Sequence, residues 1–433
     1  MLRYYLQLAW RSLRSSRMLS VLMMLAVGLG IGASMTMLTV LHVMSADPLP
    51  QASAHLYVPQ LDPRGMEGDA EDVKPPSQMS WPDAMNLLRE HKGVQQAAMA
   101  SGQVTVIPTS GASHAFSAQA RFATADFFGM FHVPFLHGSG WTAADDQNQA
   151  QVAVIDRKLA DKLYGADRAV GKLLHLGRNA YRIVGVIGDW NPTPHFYDIN
   201  QGAYADAAGV FLPLQTAIAL KQGWSGALEC WGRFDFSQDM RQAPCVWLQY
   251  WVRLDTPAQV VAYRQYLVNY SRSQKETGRY QRPPNVGLHD LMGWLAYNHV
   301  IPGAVQMQTL LALGFLLVCL VNTMALLLVR FLRRSGELGV RRAMGATRGS
   351  VFAQLLAEAA LLGGGGGAAG LALAWGGLWM VRQQPVAYAS AAHLDLTMLI
   401  ATICAAVVAA VLAAVFPAWR ACQLQPARAL KLQ

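Results

Sequence analysis

The chain has 433 residues, 53% of them hydrophobic and 14% charged, with 35 Lys and Arg against 26 Asp and Glu for a formal net charge of +9. So large an apolar share excludes a disordered chain, and five cysteines in this length exclude a disulfide-built mini-protein. The basic balance does not indicate nucleic acid. Residues 45–301 carry 21 Lys and Arg against 23 Asp and Glu, so the excess lies in short segments that abut apolar runs.

In chain order, a basic segment (1–18) holds Arg3, Arg11, Arg14 and Arg17, and an uncharged apolar run (19–44) follows. A helix needs about 20 mostly apolar residues to cross the hydrocarbon core. This run is longer than the 7–15 residues of a signal h-region, so an uncleaved anchor is expected although Ala52-Ser53-Ala54 follows it. The next two runs span 302–329 and 351–381, separated by an arginine-rich loop (330–350). The fourth (396–419) follows a short loop (382–395) and precedes a basic tail (420–433). Short loops rich in Lys and Arg stay cytoplasmic while long domains are translocated largely regardless of charge. Both termini and 330–350 are therefore expected in the cytoplasm, and 45–301 and 382–395 on the far side. The fold class that results is an α-helical membrane protein with four transmembrane helices and a large α+β domain inserted between the first and the second.

The inserted domain opens on a Pro-, Gly- and acid-rich stretch, Asp62 to Gln78, which reads as a loop. A helix follows at Trp81, with Ser80 as cap and Pro82 in the first turn. Strands are expected at Val104–Pro108, Ala115–Thr124, Gln151–Ile155, Leu173–Leu176 and Tyr181–Ile187, with a short helix over Arg157–Gly165. A strand over Val246–Leu254 and a helix from Pro257 to about Lys275 complete it. The stretch from Asp189 to Pro244 resists assignment and reads as a loop system or a small subdomain. Its Trp190, Trp224 and Trp231 belong to a core if buried, the preferred reading, or to a partner or lipid surface if exposed. Cys230 and Cys245 are candidates for a disulfide; closing about 15 residues would contribute roughly 3 kcal/mol, and two unpaired thiols are the alternative. Metal-ligand spacing is absent.

No phosphate-binding loop is legible. Gly171-Lys172 is followed by Leu173 and has no correctly spaced upstream glycine, so no cofactor is expected on this chain. Glu358 is the ionisable group well inside an apolar run, a costly placement that marks it for anchoring or coupling through snorkelling, the helix dipole or a loop arginine. Gly363 with Gly367, Gly366 with Gly370, and Gly28 with Gly32 stand four apart, a spacing that suits close helix packing in a bundle or a dimer, or a loosened helix.

Three stretches resemble the MacB/FtsX-type ABC transporter permeases, the type VII or mechanotransmission class. They are RRSGELGVRRAMGATRGSVFAQLLAEAALL from Arg333, FPAWRACQLQPARALKL from Phe416, and the block from Phe122 (FATADFFGMF) to Asp189 (YRIVGVIGD). AWRSLRSSRMLSVLMMLAVGLGIG from Ala9 adds weaker support, Leu338 stands where the pattern has Ile, and 190–250 is not covered. The resemblance implies a bacterial inner-membrane permease with a MacB-like periplasmic core domain. It would be driven by separate cytoplasmic ABC ATPase subunits that bind ATP and Mg, and paired with a second permease copy or a related permease. It makes the loop 333–350 the ATPase contact, with Glu337, Arg341, Arg342 and Arg348 as the named residues; lipid headgroup binding is the alternative use of these arginines. Glu337 needs a basic partner on the ATPase or on its own helix, such as Arg341 at i+4. Efflux with a periplasmic adaptor and an outer-membrane channel is the leading function. Lipoprotein release, FtsX-like signalling, and a membrane-anchored receptor without an ATPase are the alternatives.

Overall fold

The computed structural model describes residues 2–66, 74–108, 114–165, 168–205, 207–235, 238–383 and 396–423. The chain divides into two compact units, a helical one formed by residues 1–45 and 301–433, and one formed by 46–300. The predicted tail residues from 424 onward and most of the 382–395 loop lie outside the described residues.

The chain begins with α1 (Leu2–Ser15) and, after one turn residue, α2 (Arg17–Ser45). In α1, Ala9, Ser12 and Leu13 are buried while Trp10, Arg11 and Arg14 are exposed, with the Arg14 guanidinium 5.5 Å from the Trp10 ring centre.

The second unit is built on one mixed sheet. Its elements in order are β1 (Leu56–Leu61), β2 (Met79–Ser80), α3 (Trp81–Glu90), β3 (Gln95–Ile107), β4 (Phe116–Ala123), α4 (Asp126–Met130), β5 (Phe135–Gly138), α5 (Ala143–Gln147), β6 (Val152–Asp156), α6 (Arg157–Leu163), β7 (Leu173–Leu176) and β8 (Asn179–Ile187). Then come β9 (Val210–Pro213), α7 (Leu214–Ala219), β10 (Trp224–Ser225), β11 (Glu229–Cys230), β12 (Cys245–Arg253), α8 (Pro257–Glu276), β13 (Val286–Asp290) and α9 (Leu291–Tyr297). The main strand order is β13-β1-β12-β3-β4-β9-β6-β8-β5, with β4–β9 and β6–β8 parallel.

Each face of the sheet carries a core, as strand periodicity requires. On β3, Ala98, Ala100, Val104 and Val106 face one core and Ala97 and Met99 the other. The strand begins nine residues before the expected Val104, because Gln95–Gly102 is Ala-rich and carries little intrinsic strand preference; burial between β12 and β4 imposes it. The capping prediction at α3 holds, the Ser80 hydroxyl accepting from Asp83 N at 3.4 Å, and Tyr270 of α8 donates to the buried Asp83 carboxylate at 2.8 Å. Between 189 and 244 the chain is neither a pure loop nor a subdomain. It adds three strands to the sheet, β9 beside β4 and β6, β10 beside β3 and β11 beside β12, and α7 follows β9. Trp190, Trp224 and Trp231 are all half-buried; Trp190 stacks on Tyr197 at 5.1 Å and Trp224 lies 6.0 Å from Trp247. Cys230 on β11 and Cys245 on β12 stand opposite in register and are joined by a disulfide.

The first unit resumes with α10 (Gly303–Arg333), α11 (Ser335–Ala343), α12 (Arg348–Gln383) and α13 (Leu396–Gln423). Among the described residues, α2, α10, α12 and α13 are the helices long and apolar enough to cross a membrane. Leu310, Leu311, Leu317, Val318 and Val321 of α10 are exposed, an apolar surface suited to lipid. The glycines explain how α12 sits among its neighbours. A Cβ on Gly366 would meet Val27 Cγ1 at 2.8 Å, and one on Gly370 the Gly28 carbonyl at 3.1 Å. One on Gly28 would meet Ala369 at 3.0 Å, and one on Gly32 would meet Leu373 at 2.8 Å. Gly363 and Gly367 face α13 at Ala410 and Ala406, so the three glycine pairs serve contacts inside one chain, and α12 continues as a helix through all of them.

Each unit yields one prediction. Gly366→Val should lower the unfolding temperature in detergent markedly, since a branched side chain has no space against Val27, whereas Gly364→Ala, which meets nothing within 4 Å, should hold or gain up to about 1 kcal/mol. Asp146 is a second probe. Burial is the main cause that pushes its carboxyl up to about 7, against the hydrogen bond its Oδ2 accepts from Ala125 N at 2.7 Å. The native state therefore keeps this proton where the unfolded chain has lost it. The stabilisation is full below about pH 4 and is lost as pH rises through about 7, a change on the order of 4 kcal/mol. Thermal unfolding followed from pH 4 to 8 should show that decline, and Asp146→Asn should flatten it.

Candidate functional site

Glu358 lies ten residues into α12, about 15 Å along its axis, and is fully buried. A carboxylate there persists only with charged or hydrogen-bonding partners, because its desolvation cost is otherwise unmet. The structure supplies them from three other elements. Ser12 Oγ of α1 donates to Oε1 at 2.7 Å, Arg330 Nη2 of α10 lies 2.8 Å from the same oxygen, and Arg334 Nη1, between α10 and α11, reaches Oε2 at 3.1 Å. Arg330 is itself only 3% exposed; it donates from Nη1 to Ser20 Oγ of α2 at 2.8 Å and from Nη2 to the Ser12 carbonyl at 3.0 Å. Arg334 also donates to Ser12 Oγ.

The cluster continues outward onto α11. Arg334 Nη2 lies 3.0 Å from Glu337 Oε2, and Arg341 Nη2 lies 3.3 Å from Glu337 Oε1, one helical turn on. Arg341 Nη1 donates to Gln354 Oε1 of α12 at 3.0 Å, and Arg342 Nη1 to the Cys422 carbonyl of α13 at 3.1 Å. An unbroken chain of charge contacts therefore runs from the half-exposed Glu337 through Arg334 to the buried Glu358. Its partners come from α1, α2, α10, α11 and α12, while Arg342 separately ties α11 to α13.

Of the residues singled out by sequence, Glu337, Arg341 and Glu358 are brought together, and Arg342 is joined to α13. Arg348 is exposed at the start of α12, where its carbonyl accepts a weak contact from Cys422 Sγ at 3.9 Å. Glu337 takes both of its basic partners from its own chain, Arg341 as anticipated and Arg334 as well. Glu358 does not snorkel. It is held inside by two arginines, one from the loop and one from the end of α10. Sequence reasoning singles out none of Ser12, Ser20, Arg330, Arg334 and Gln354 as site residues. Arg330 was visible as the first arginine after an apolar run, and Ser12 as a small polar residue on the apolar side of an amphipathic helix, but neither pattern names Glu358 as partner.

Two family models match the chain: the MacB-like periplasmic core domain over residues 20–270 and the FtsX-like permease C-terminal region over residues 309–426. A pyoverdine export ATP-binding/permease protein of Pseudomonas aeruginosa is 24% identical over 311 residues, which are 71% of this chain and 41% of that protein. An uncharacterized ABC transporter permease of Bacillus subtilis is 21% identical over 439 residues, 99% of both chains. This chain thus spans about two fifths of the first relative and nearly all of the second. Among solved structures, the periplasmic region of MacB from Actinobacillus actinomycetemcomitans aligns with a TM-score of 0.36 and 11% identity, covering 56% of this chain and 92% of that one.

Removing the carboxylate should expose how much depends on it. Glu358→Gln leaves Arg330 buried without an anion and should cost about 3–5 kcal/mol, read as a lower unfolding temperature in lipid nanodiscs. Glu358→Leu combined with Arg330→Met should recover most of that loss.

Proposed function

The chain belongs to the family of the MacB-like periplasmic core domain, joined to an FtsX-like permease C-terminal region, and from that premise we propose that it is the membrane subunit of an ABC transporter in which α11 receives the ATPase stroke. The observation that carries the reading is the path Glu337–Arg334–Glu358. A push on α11 acts directly on a buried ion cluster that also holds α1, α2, α10 and α12, so the helices at this end respond as one body. ATP and Mg reside in cytoplasmic ABC ATPase subunits, and this chain does no chemistry of its own. Both termini and α11 face the cytoplasm, a reading the arginine distribution supports, and the inserted domain lies in the periplasm of a bacterial inner-membrane protein. A second permease copy or a related permease completes the assembly.

For direction, we take efflux from the periplasm with an adaptor and an outer-membrane channel, in keeping with the export function in the name of the pyoverdine relative. Arg341 and Arg342 are only half-buried on α11, which leaves part of each side chain within reach of a partner's surface. Purification of the intact chain from its native membrane should retain an ATPase. Arg341→Glu with Arg342→Glu should weaken that association by at least about tenfold, the effect of ~1.4 kcal/mol. An intact chain that retains no ATPase overturns the transporter reading.

A further inference from the structure

Beside the ion cluster, the helical unit carries cations that it does not answer itself. Its acids among the described residues are Glu337 and Glu358, and both are engaged by Arg330, Arg334 and Arg341. Arg11 and Arg14 on α1 and Arg17 at the start of α2 are exposed, and among the described residues none of the three has a carboxylate or a hydrogen-bonding partner. Arg14 lies instead over the Trp10 ring, which is itself 55% exposed.

The two faces of α1 have different tasks. At about 100° per residue, Trp10, Arg11 and Arg14 fall within one arc, and Ala9, Ser12 and Leu13 are buried on the opposite side, where Ser12 is locked to Glu358. The outward arc therefore cannot turn inward to find an anion. Directly after Arg17, Met18 is 91% exposed, and Leu22, Leu25 and Leu29 continue as an exposed apolar stripe along α2. Arg17 thus stands where a surface suited to acyl chains begins, which is the depth of lipid headgroups and of the aromatic residues that border them. An acidic soluble protein would account for the arginines alone; the exposed Trp10 and Met18 among them favour a partner that is charged at one end and apolar at the other.

We propose that the outward face of α1 and the first turns of α2 dock an anionic phospholipid. Arg11, Arg14 and Arg17 hold its phosphate-bearing headgroup, Trp10 lies at headgroup depth, and an acyl chain runs along Met18, Leu22 and Leu25. Guanidinium donors suit phosphate oxygens, and an anionic leaflet supplies the countercharge that the unit lacks. The inference rests on α2 crossing the membrane and is independent of how α11 meets an ATPase.

The full chain carrying fluorinated tryptophan, in neutral detergent micelles, tests the surface through the fluorine resonance of Trp10, assigned by its loss in Trp10→Phe. Phosphatidylglycerol should shift that resonance saturably, and phosphatidylcholine with the same acyl chains should need at least about tenfold more, since each arginine near an anionic surface contributes about fivefold. Arg11→Gln, Arg14→Gln and Arg17→Gln combined should remove the preference while leaving the unfolding temperature unchanged, and lysine at the same three positions should retain it. Glycerol phosphate, which has the headgroup charge without the chains, should leave the resonance where it is. Equal shifts by the two lipids, a native response in the glutamine variant, or saturation by glycerol phosphate overturns the proposal. A glutamine variant that keeps its lipid response but loses a bound ATPase assigns the face to protein instead.

Discussion

A single carboxylate with no solvent exposure, Glu358, decides how the basic end of the helical unit is assembled. Two guanidiniums, four residues apart, and a hydroxyl converge on it; Ser12 is 346 residues away. Attraction between buried charges is strong, but so is the cost of leaving any one unpaired, so the cluster tolerates few alternative arrangements. That intolerance is what the proposed transmission from α11 calls for. A helix end held by apolar contacts alone can slide by a turn at little cost, whereas one held by a two-arginine clamp has to move with its partners.

The glycines of α12 supply the complementary condition. Lipid tails are as apolar as leucine, so apolarity alone does not draw membrane helices together, and close backbone approach has to do so. Gly366 and Gly370 against α2, with Gly363 and Gly367 against α13, let α12 contact two neighbours at once. The charged end and the glycine stretch thus act on the same helix, one fixing its register to α1, α10 and α11, the other its distance from α2 and α13.

The inserted domain solves a different problem, how to fasten an elaborate connection between 189 and 244 to a conventional sheet. It uses a covalent tie from β11 to the buried Cys245, an ionic one from Asp198 to Arg121, and stacking of Trp190 on Tyr197.

Hydropathy and charge placement were sufficient for the four helices, the inserted domain and the basic segments, because crossing a bilayer depends on the local sum of transfer free energies over about 20 residues. Motif likeness marked α11, and i+4 spacing was enough to pair Glu337 with Arg341. The start of β3 was illegible, since Ala-rich strands owe their conformation to neighbours on both sides. So were the partners of Glu358 and the pairing of Arg121 with Asp198. Each depends on groups that meet only after the chain has folded, and no periodicity links Ser12 or Arg330 to residue 358, or Asp198 to Arg121. What the sequence determined was where the chain is apolar and where it is charged; which buried charges answer one another was decided by tertiary structure alone, because a charge taken out of water is stabilised by whatever lies within a few ångströms, not by its neighbours in sequence.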